Sequence, residues 1–324
     1  MARHLRNAAV IAALSFSTLG FAAERAVAET IDQISIMAPA APGGGWDSTA
    51  RAMQEVLQAA GIIKSVQVEN VAGAGGTRGL VQFVKRKGDP KAWMMSGLVM
   101  VGAIVLNKTP ISLTDVTPIA RLTAEWQAIA VTPDAKIQSM QDLVAALKAN
   151  VGSVSWGGGS AGGTDHITAA LIAQASGADA SKVNYVAHSG GGDSLAAILG
   201  NHVSLGVNSV SEFMPLVEAG KLKIIGVSSD KRLPGVNAPT FKEAGLDIVI
   251  ANWRGIMGAP DLSAGDRAVV TELVDKMVKS EQWKAKLKER GWEENYLSGD
   301  AFRQYVSAEQ ARVGEIMKSI GIGR

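Results

Sequence analysis

The sequence has no cysteine, only four histidines and few aromatic side chains, and these shortages exclude several classes of protein. Without cysteine the chain forms neither disulfide bonds nor thiolate metal sites, so burial of apolar surface has to stabilise the fold. The histidines stand at no metal-ligand spacing with a second strong ligand. We therefore expect no metal site.

The amino-terminal segment has the pattern of a secretion signal. A cationic start precedes an apolar stretch over residues 8–22, and Ala26-Val27-Ala28 is a small-x-small cleavage site. The apolar stretch is too short to span a bilayer. We expect residues 1–28 to be removed, with cleavage after Ala28 or alternatively after Ala23, and the mature protein to act in the periplasm.

Charge separates the mature chain from nucleic-acid-binding and membrane-surface proteins. Removal of residues 1–28 takes away three arginines and one glutamate, so the formal net charge of +2 falls to zero. A neutral chain without long lysine or arginine runs has no electrostatic footprint for nucleic acid or an anionic membrane. We expect neither partner. Residues 29–324 suffice for two domains of about 150 residues each.

The order of apolar residues predicts the fold class. Short β-branched runs such as Ile34–Met37 are typical of buried strands, and between such runs apolar residues recur at helical spacing, as at Ala50, Met53 and Leu57. This alternation predicts an α/β fold with mostly parallel sheets covered by helices. Near the carboxyl end, residues 266–291 and 300–320 instead have the pattern of two amphipathic helices.

Two kinds of glycine-rich turn occur twice in the same order. Pro42–Asp47 is echoed by Gly157–Asp165, with the aspartates 118 residues apart, and Val68–Gly76 is echoed 115 residues later by Val183–Gly191. Each turn lies between a predicted strand and a predicted helix. In an open parallel sheet such turns gather at the carboxyl edge of the strands, where ligands bind. We therefore expect the four turns to face one another.

Glycine turns followed by helices are suited to holding an anion. Glycine lets the backbone approach a ligand closely and present several N–H groups, and the helix start adds a partial positive charge. Four such turns would surround a di- or tricarboxylate without an obligatory arginine. Trp46 is expected to form a wall of the site. Asp47 and Asp165 are expected at helix N-caps, where either could also accept a hydrogen bond from a ligand hydroxyl.

An enzymatic alternative depends on Ser160. Gly158–Gly162 matches the nucleophile pattern G-x-S-x-G, which would make the protein an esterase-like hydrolase with a downstream histidine no later than His202. That function leaves the repeated glycine turns unexplained. A dinucleotide pattern over Gly157–Gly162 lacks the acidic residue that should end the next strand. We expect no cofactor.

Combined, these motifs resemble the periplasmic receptors of tripartite tricarboxylate transporters, also called Bug-type receptors. The resemblance covers essentially the whole mature chain. It is carried by the segments Ala41–Asp47, Val68–Thr77, Gly159–His166, Val183–Val186, Ser189–Gly191 and Val227–Gly235. Trp46 and Ala251–Gly255 are similar to the tricarboxylate branch, so a citrate-like acid is the first candidate ligand.

The resemblance implies a monomeric, type II-like Venus-flytrap clamp of the periplasmic-binding-protein kind, with two lobes and a two-strand hinge. We expect lobe one to contain residues 29–124 and 229–324, and lobe two residues 125–228, with crossings near Ile129 and Val227. The clamp would deliver its carboxylate to a membrane permease of one large and one small subunit.

The resemblance also implies that backbone amides and ordered waters of the turns hold the ligand, joined by the end of one further strand. The resulting candidate ligand-binding residues are Gly44, Gly45, Trp46, Asp47, Gly75, Gly76, Thr77, Ser160, Gly163, Thr164, Asp165, Ser189, Gly190, Gly191 and Asn208. The hydroxyl and aspartate side chains among them also have purely local roles in turns.

Overall fold

The computed structural model describes residues 31–188 and 191–322, so the expected signal segment lies outside the described residues. Strands and helices alternate along most of this part, as the periodicity predicted. The strands are β1 (Gln33–Ala38), β2 (Ser65–Asn70), β3 (Ala92–Gly97), β4 (Thr117–Val131), β5 (Ser155–Gly158), β6 (Asn184–Ala187), β7 (Leu205–Ser209), β8 (Lys223–Val227), β9 (Ala251–Gly258) and β10 (Glu293–Ser298).

The helices bury one apolar face each. In α1, for example, Ala50, Met53 and Leu57 are fully buried at helical spacing. The helices are α1 (Gly45–Ala59), α2 (Thr77–Phe83), α3 (Leu98–Leu106), α4 (Met140–Ala149), α5 (Thr164–Ala175), α6 (Gly191–Leu199), α7 (Val210–Glu218), α8 (Ala264–Lys279), α9 (Glu281–Arg290) and α10 (Gly299–Ser319). No helix of the described ranges is both long and apolar enough to cross a bilayer.

The first of the two predicted carboxyl-terminal helices is in fact two. Ser280 ends α8 and its side chain accepts a hydrogen bond from the Trp283 N–H, which caps α9. A serine N-cap stabilises a new helix start, so it interrupts an otherwise continuous amphipathic pattern. Strand β10 then separates α9 from α10.

The strands form one sheet in the order β2-β1-β3-β9-β4-β7-β5-β6, with β8 and β10 also pairing with β4. The α/β fold is confirmed, but the sheet is mixed where mostly parallel sheets were predicted. Pairs among β1, β2 and β3 and among β5, β6 and β7 are parallel. All pairs that involve β4 or β9 are antiparallel, because these two strands return the chain across the sheet.

Strand β4 joins two groups of strands. Its residues from Thr117 to Trp126 pair with β9, whereas those from Gln127 to Val131 pair with β7 and β8. The partners therefore change between Trp126 and Gln127, and β8 ends at Val227. The two lobes and their hinge remain a prediction, and these pairings are the features on which it rests.

Candidate functional site

A cavity of about 630 Å³ lies where the glycine turns meet. Residues from both groups of strands line it, so the turns that the sequence predicted to face one another do so. The predicted site residues among its lining are Gly44, Gly45, Trp46, Gly75, Gly76, Ser160, Gly163, Thr164, Asp165 and Asn208. Ser189 and Gly190 lie outside the described residues, and Gly191 is the first residue of α6.

Helices α1 and α5 begin at this cavity without a side-chain cap. Their N-cap residues are Gly44 and Gly163, both with extended backbone and neither with a side chain that could accept from the first turn. Helix α7 begins beside them after Ser209, whose hydroxyl makes no cap bond. First-turn N–H groups have no partner within their helix, and the helix dipole makes this end positive. The cavity thus offers N–H donors and positive potential to an anion.

Arg254 adds a side-chain cation that the sequence argument missed. It lies in β9 with 4% of its surface exposed, lines the cavity and forms a buried ion pair with Glu125 of β4. The backbone of Gly45 passes so close to the Arg254 guanidinium that a Cβ atom there would displace that group. Asn252 and Arg254 are two apart in a strand and hence on one face, a pattern that could have indicated them.

Trp46 lies in the first turn of α1 rather than in an exposed loop. Only 8% of its surface is exposed, and one part of it lines the cavity. A Cβ atom at Gly76 would lie 2.7 Å from the Trp46 ring, and Gly76 has a φ of +91°, so both the ring and the backbone favour glycine. The indole is therefore packed between the core and the cavity.

Asp47 is neither an N-cap nor a lining residue of the cavity. It is the third residue of α1, and its carboxylate accepts hydrogen bonds from the Gly43 N–H at 2.8 Å, from Arg51 at 3.0 Å and from Asn70 at 2.9 Å. Burial alone would raise the pKa of Asp47, but Arg51, the Gly43 N–H and Asn70 hold it below its usual value. The carboxylate stabilises the turn.

Asp165 is likewise not an N-cap, because Gly163 occupies that position. It is half-buried, lines the cavity and accepts a hydrogen bond from the Gly159 N–H at 2.8 Å. Burial raises the pKa of Asp165 to about 7 against that hydrogen bond, with a further rise from Glu212. The carboxyl group therefore titrates close to neutral pH.

The two predicted threonines differ in position. The Thr77 hydroxyl donates to the Ala74 carbonyl oxygen at 2.9 Å, and Thr77 does not line the cavity. The Thr164 hydroxyl donates to Oδ1 of Asn252 at 3.1 Å and connects α5 to β9 at the cavity wall. Thr77 thus has the local role that short hydroxyl side chains often have in turns.

Asn208 and Glu212 meet at the start of α7. Oδ1 of Asn208 accepts from the Ser209 N–H at 2.9 Å, whereas its Nδ2 atom has no partner among the described residues. Glu212 also lines the cavity, and sequence reasoning missed it. A signal was available, because β7 ends at Ser209 and α7 follows directly, which repeats the strand-to-helix order of the glycine turns.

The geometry around Ser160 does not support a hydrolase. The His166 Nδ1 atom accepts from the Gly162 N–H at 3.1 Å, its ring stacks on Tyr185 with centroids 4.4 Å apart, and burial lowers its pKa to about 4. The His188 Nδ1 atom lies 3.1 Å from the Gly158 carbonyl oxygen. Within the described ranges neither ring is hydrogen-bonded to Ser160, so no general base is paired with it.

Comparison with known proteins agrees with this geometry. A curated relative, a UPF0065 protein in the gbd 5' region of Cupriavidus necator, is 28% identical over 99% of this chain and 98% of its own length. Protein BugT of Bordetella pertussis is 26% identical, and the match covers 69% of each chain.

Solved structures have the same fold. A TctC solute-binding protein from Polaromonas, solved without ligand, is 26% identical with a TM-score of 0.67 over 89% of this chain and 98% of that one. MatC from Rhodopseudomonas palustris with bound malate is 20% identical, with a TM-score of 0.75 over 88% and 98%. Another R. palustris protein, solved with adipate, is 24% identical, with a TM-score of 0.77 over 90% and 97%.

A family model described as the tripartite tricarboxylate transporter family receptor, TctC, matches residues 49–322. That range covers most of the chain. It includes the whole cavity lining except the residues that precede it, which are Pro39, Ala40, Ala41, Gly44, Gly45 and Trp46. The chain therefore belongs to the TctC family of tripartite tricarboxylate transporter receptors, which are periplasmic solute-binding proteins and not enzymes.

Proposed function

We propose that this protein binds a small di- or tricarboxylate in the cavity and delivers it to a membrane permease of one large and one small subunit. One observation carries the proposal: the uncapped starts of α1 and α5 lie in the same cavity, with Gly44 and Gly163 among its lining residues. Each start offers backbone donors, and a dianion with two separated carboxylates can use both.

The ligand class is supported by size and by relatives. A volume of about 630 Å³ is in the usual range of small-molecule sites and exceeds what a single small acid fills, leaving room for ordered water. Two proteins of this fold were solved with malate and with adipate. Citrate remains our first candidate, and malate and adipate are the natural comparisons.

The proposed mechanism is closure of two lobes on the ligand, with residues 29–124 and 229–324 in one lobe and 125–228 in the other. Contacts between the strand groups support it. The backbones of Gly102 in α3 and Gly162 lie so close together that a Cβ atom at Gly102 would overlap the Gly162 carbonyl oxygen. The Thr164 to Asn252 hydrogen bond also joins the two groups. A permease could distinguish loaded from empty receptor by this closure.

Calorimetric titration tests the proposal. We expect citrate, malate or adipate to release or absorb binding heat, and the neutral derivative of the same acid, with every carboxyl group converted to an amide, to give none. Ser160→Phe should weaken binding at least tenfold, since the ring would occupy the cavity that Ser160 lines. Ala145→Phe, at an exposed position of α4, is the matched control and should bind normally.

Binding of the neutral amide derivative as tightly as the acid would contradict anion recognition. Normal affinity of Ser160→Phe would place the ligand outside the cavity. Export would be checked separately, by the mass of the protein recovered from periplasm, which should correspond to cleavage after Ala28 or Ala23.

A further inference from the structure

Three carboxylates lie within electrostatic range of one guanidinium at a single side of the cavity. Asp165 of α5, Glu212 of α7 and Glu125 of β4 act electrostatically on one another, together with Arg254 of β9. Arg254 forms its ion pair with Glu125, and the second carboxylate oxygen of Glu125 accepts from the Ser211 hydroxyl. Within the described ranges neither Asp165 nor Glu212 has an ion pair of its own. The wall therefore has more acids than cations.

The other groups that face Asp165 do not neutralise it. The Gly159 N–H donates to its carboxylate, while the Tyr185 hydroxyl is used to donate to the Gly159 carbonyl oxygen at 3.0 Å. His166 is held neutral by burial, as its pKa of about 4 indicates, and its Nδ1 atom accepts from Gly162. His188 lines the cavity and contacts a backbone carbonyl oxygen through Nδ1.

Asn208 independently indicates that a ligand completes this wall. Only 6% of its surface is exposed, it lines the cavity, and its Nδ2 donor has no partner among the described residues. The adjacent Oε2 atom of Glu212 also lacks one in hydrogen-bond geometry, although the Asn208 side chain lies close enough to Glu212 to lower its pKa. Buried polar atoms without partners are rare in native proteins, and here both lie where a ligand would enter.

We propose that Asp165 and Glu212 form an acidic wall that binds a carboxylate of the ligand through a shared proton, so that each ligand bound takes up about one proton from solution. This inference rests on the proposed function and specifies how that site tolerates an anion. Two ionised carboxylates facing a third would repel it, whereas one protonated carboxyl group donates to it and Asn208 Nδ2 supplies a second donor.

The titration behaviour supports this arrangement. Burial raises the pKa of Asp165 to about 7, and burial, followed by the charge of Glu125, raises the pKa of Glu212 against Arg254 and Asn208. A ligand anion would raise both pKa values further, because a neighbouring negative charge favours the neutral acid. At pH 7.5 the Asp165 carboxyl group of the empty site is then mostly ionised, and the loaded site holds up to one more proton.

Calorimetry in two buffers of different ionisation enthalpy measures that proton directly. At pH 7.5 we would titrate malate and adipate, both fully ionised there, into wild type, Asp165→Asn, Glu212→Gln and Asp266→Asn. Asp266 is a first-turn aspartate of α8 that does not line the cavity, so it is the matched control. We expect an uptake of about one proton for wild type and Asp266→Asn, and markedly less for Asp165→Asn.

The pH dependence of wild-type affinity gives a second readout that needs no variant. One coupled proton makes the affinity fall by up to tenfold per pH unit from about pH 7, the pKa of Asp165 in the empty site, up to the higher pKa that the ligand imposes. Normal binding heat with no proton uptake and no such fall would overturn the acidic wall and leave the proposed function intact. Absence of binding by every carboxylate tested would overturn both.

Discussion

The two aspartates of the repeated glycine turn are built alike and surrounded differently. Each lies in the first turn of a helix and accepts an N–H from the preceding glycine turn at 2.8 Å, Gly43 for Asp47 and Gly159 for Asp165. One helical turn later, Asp47 has Arg51 as an ion-pair partner, whereas Asp165 has the buried Ala169. The first carboxylate is thus neutralised by the protein, and the second is left to the cavity.

The pKa values of the two residues move in opposite directions for this reason. Arg51 and Asn70 keep Asp47 ionised although it is 3% exposed, while Asp165 lacks both partners and burial raises its pKa to about 7. The same backbone motif therefore places an aspartate that stabilises its turn in one half of the molecule and an aspartate with a raised pKa at the cavity in the other.

The largest expected effect on stability comes from replacing Asp47, the aspartate that has an ion-pair partner. Asp47→Ala removes the acceptor of the Gly43 N–H and of the Asn70 amide and leaves Arg51 without its partner. We expect a loss of about 3 kcal/mol of unfolding free energy at pH 7, because buried donors remain unsatisfied. Urea denaturation checks this. A loss below about 1 kcal/mol would show that the bonds to Asp47 contribute little.

A smaller, pH-dependent effect on stability is expected at Asp165, the aspartate without an ion-pair partner. The folded-state pKa of Asp165 is raised from 3.8 to about 7, so its contribution to stability is fully present below pH 3.8 and is lost as pH rises through 7. Asp165→Asn cannot ionise. Relative to wild type, it should gain ~2 kcal/mol of unfolding free energy between pH 4 and pH 8, after allowance for partial exposure.

Urea midpoints of both proteins at pH 4, 6 and 8 measure that gain. Asp47→Asn is the counterpart, since the pKa of Asp47 is lowered below 3.8 and its stabilisation is lost only as pH falls below that value, so the difference from wild type should stay constant between pH 4 and pH 8. Parallel pH profiles for the two variants would contradict the difference between the halves.

The smallest effect on stability is expected from adding a side-chain cap at the start of α1, a change that should instead affect ligand binding. Gly44 can accept a side chain, because its added Cβ atom would approach the Ala41 carbonyl oxygen only to 3.2 Å, whereas at Gly163 it would lie 2.9 Å from the Ser160 carbonyl oxygen. Gly44→Ser should change the unfolding free energy by only about 0.3 kcal/mol. It should weaken carboxylate binding severalfold, because the new hydroxyl competes for the donors of α1.

The matched control removes an existing cap far from the cavity. Ser263 accepts from the Asp266 N–H at the start of α8, so Ser263→Ala should cost about 1 kcal/mol and leave ligand affinity unchanged. If Gly44→Ser bound carboxylates as tightly as wild type, the first turn of α1 would not hold the ligand.

The sequence predicted the fold class, the repeated turns and their convergence, because glycine spacing and apolar periodicity are local signals. It misplaced Asp47 and Asp165 as N-caps, since Gly44 and Gly163 take the extended N-cap conformation three and two residues earlier, respectively. Glu212 was missed because the turn before α7 has no run of glycines, although a strand leads directly into a helix there.

The role of Arg254 and the mixed sheet were both missed for one reason. The antiparallel course of β9 between β3 and β4 depends on how the chain returns across the sheet, and no short-range pattern specifies that return. Once β9 takes this place, Arg254 faces the cavity and pairs with Glu125.

A crystal structure with the tightest-binding carboxylate tests anion recognition by the glycine turns most directly. We expect carboxylate oxygens within hydrogen-bond distance of main-chain N–H groups at the starts of α1 and α5, with the second carboxylate beside Asp165. A ligand bound only through the Arg78 side chain, which is exposed and also lines the cavity, with those N–H groups facing water, would contradict it.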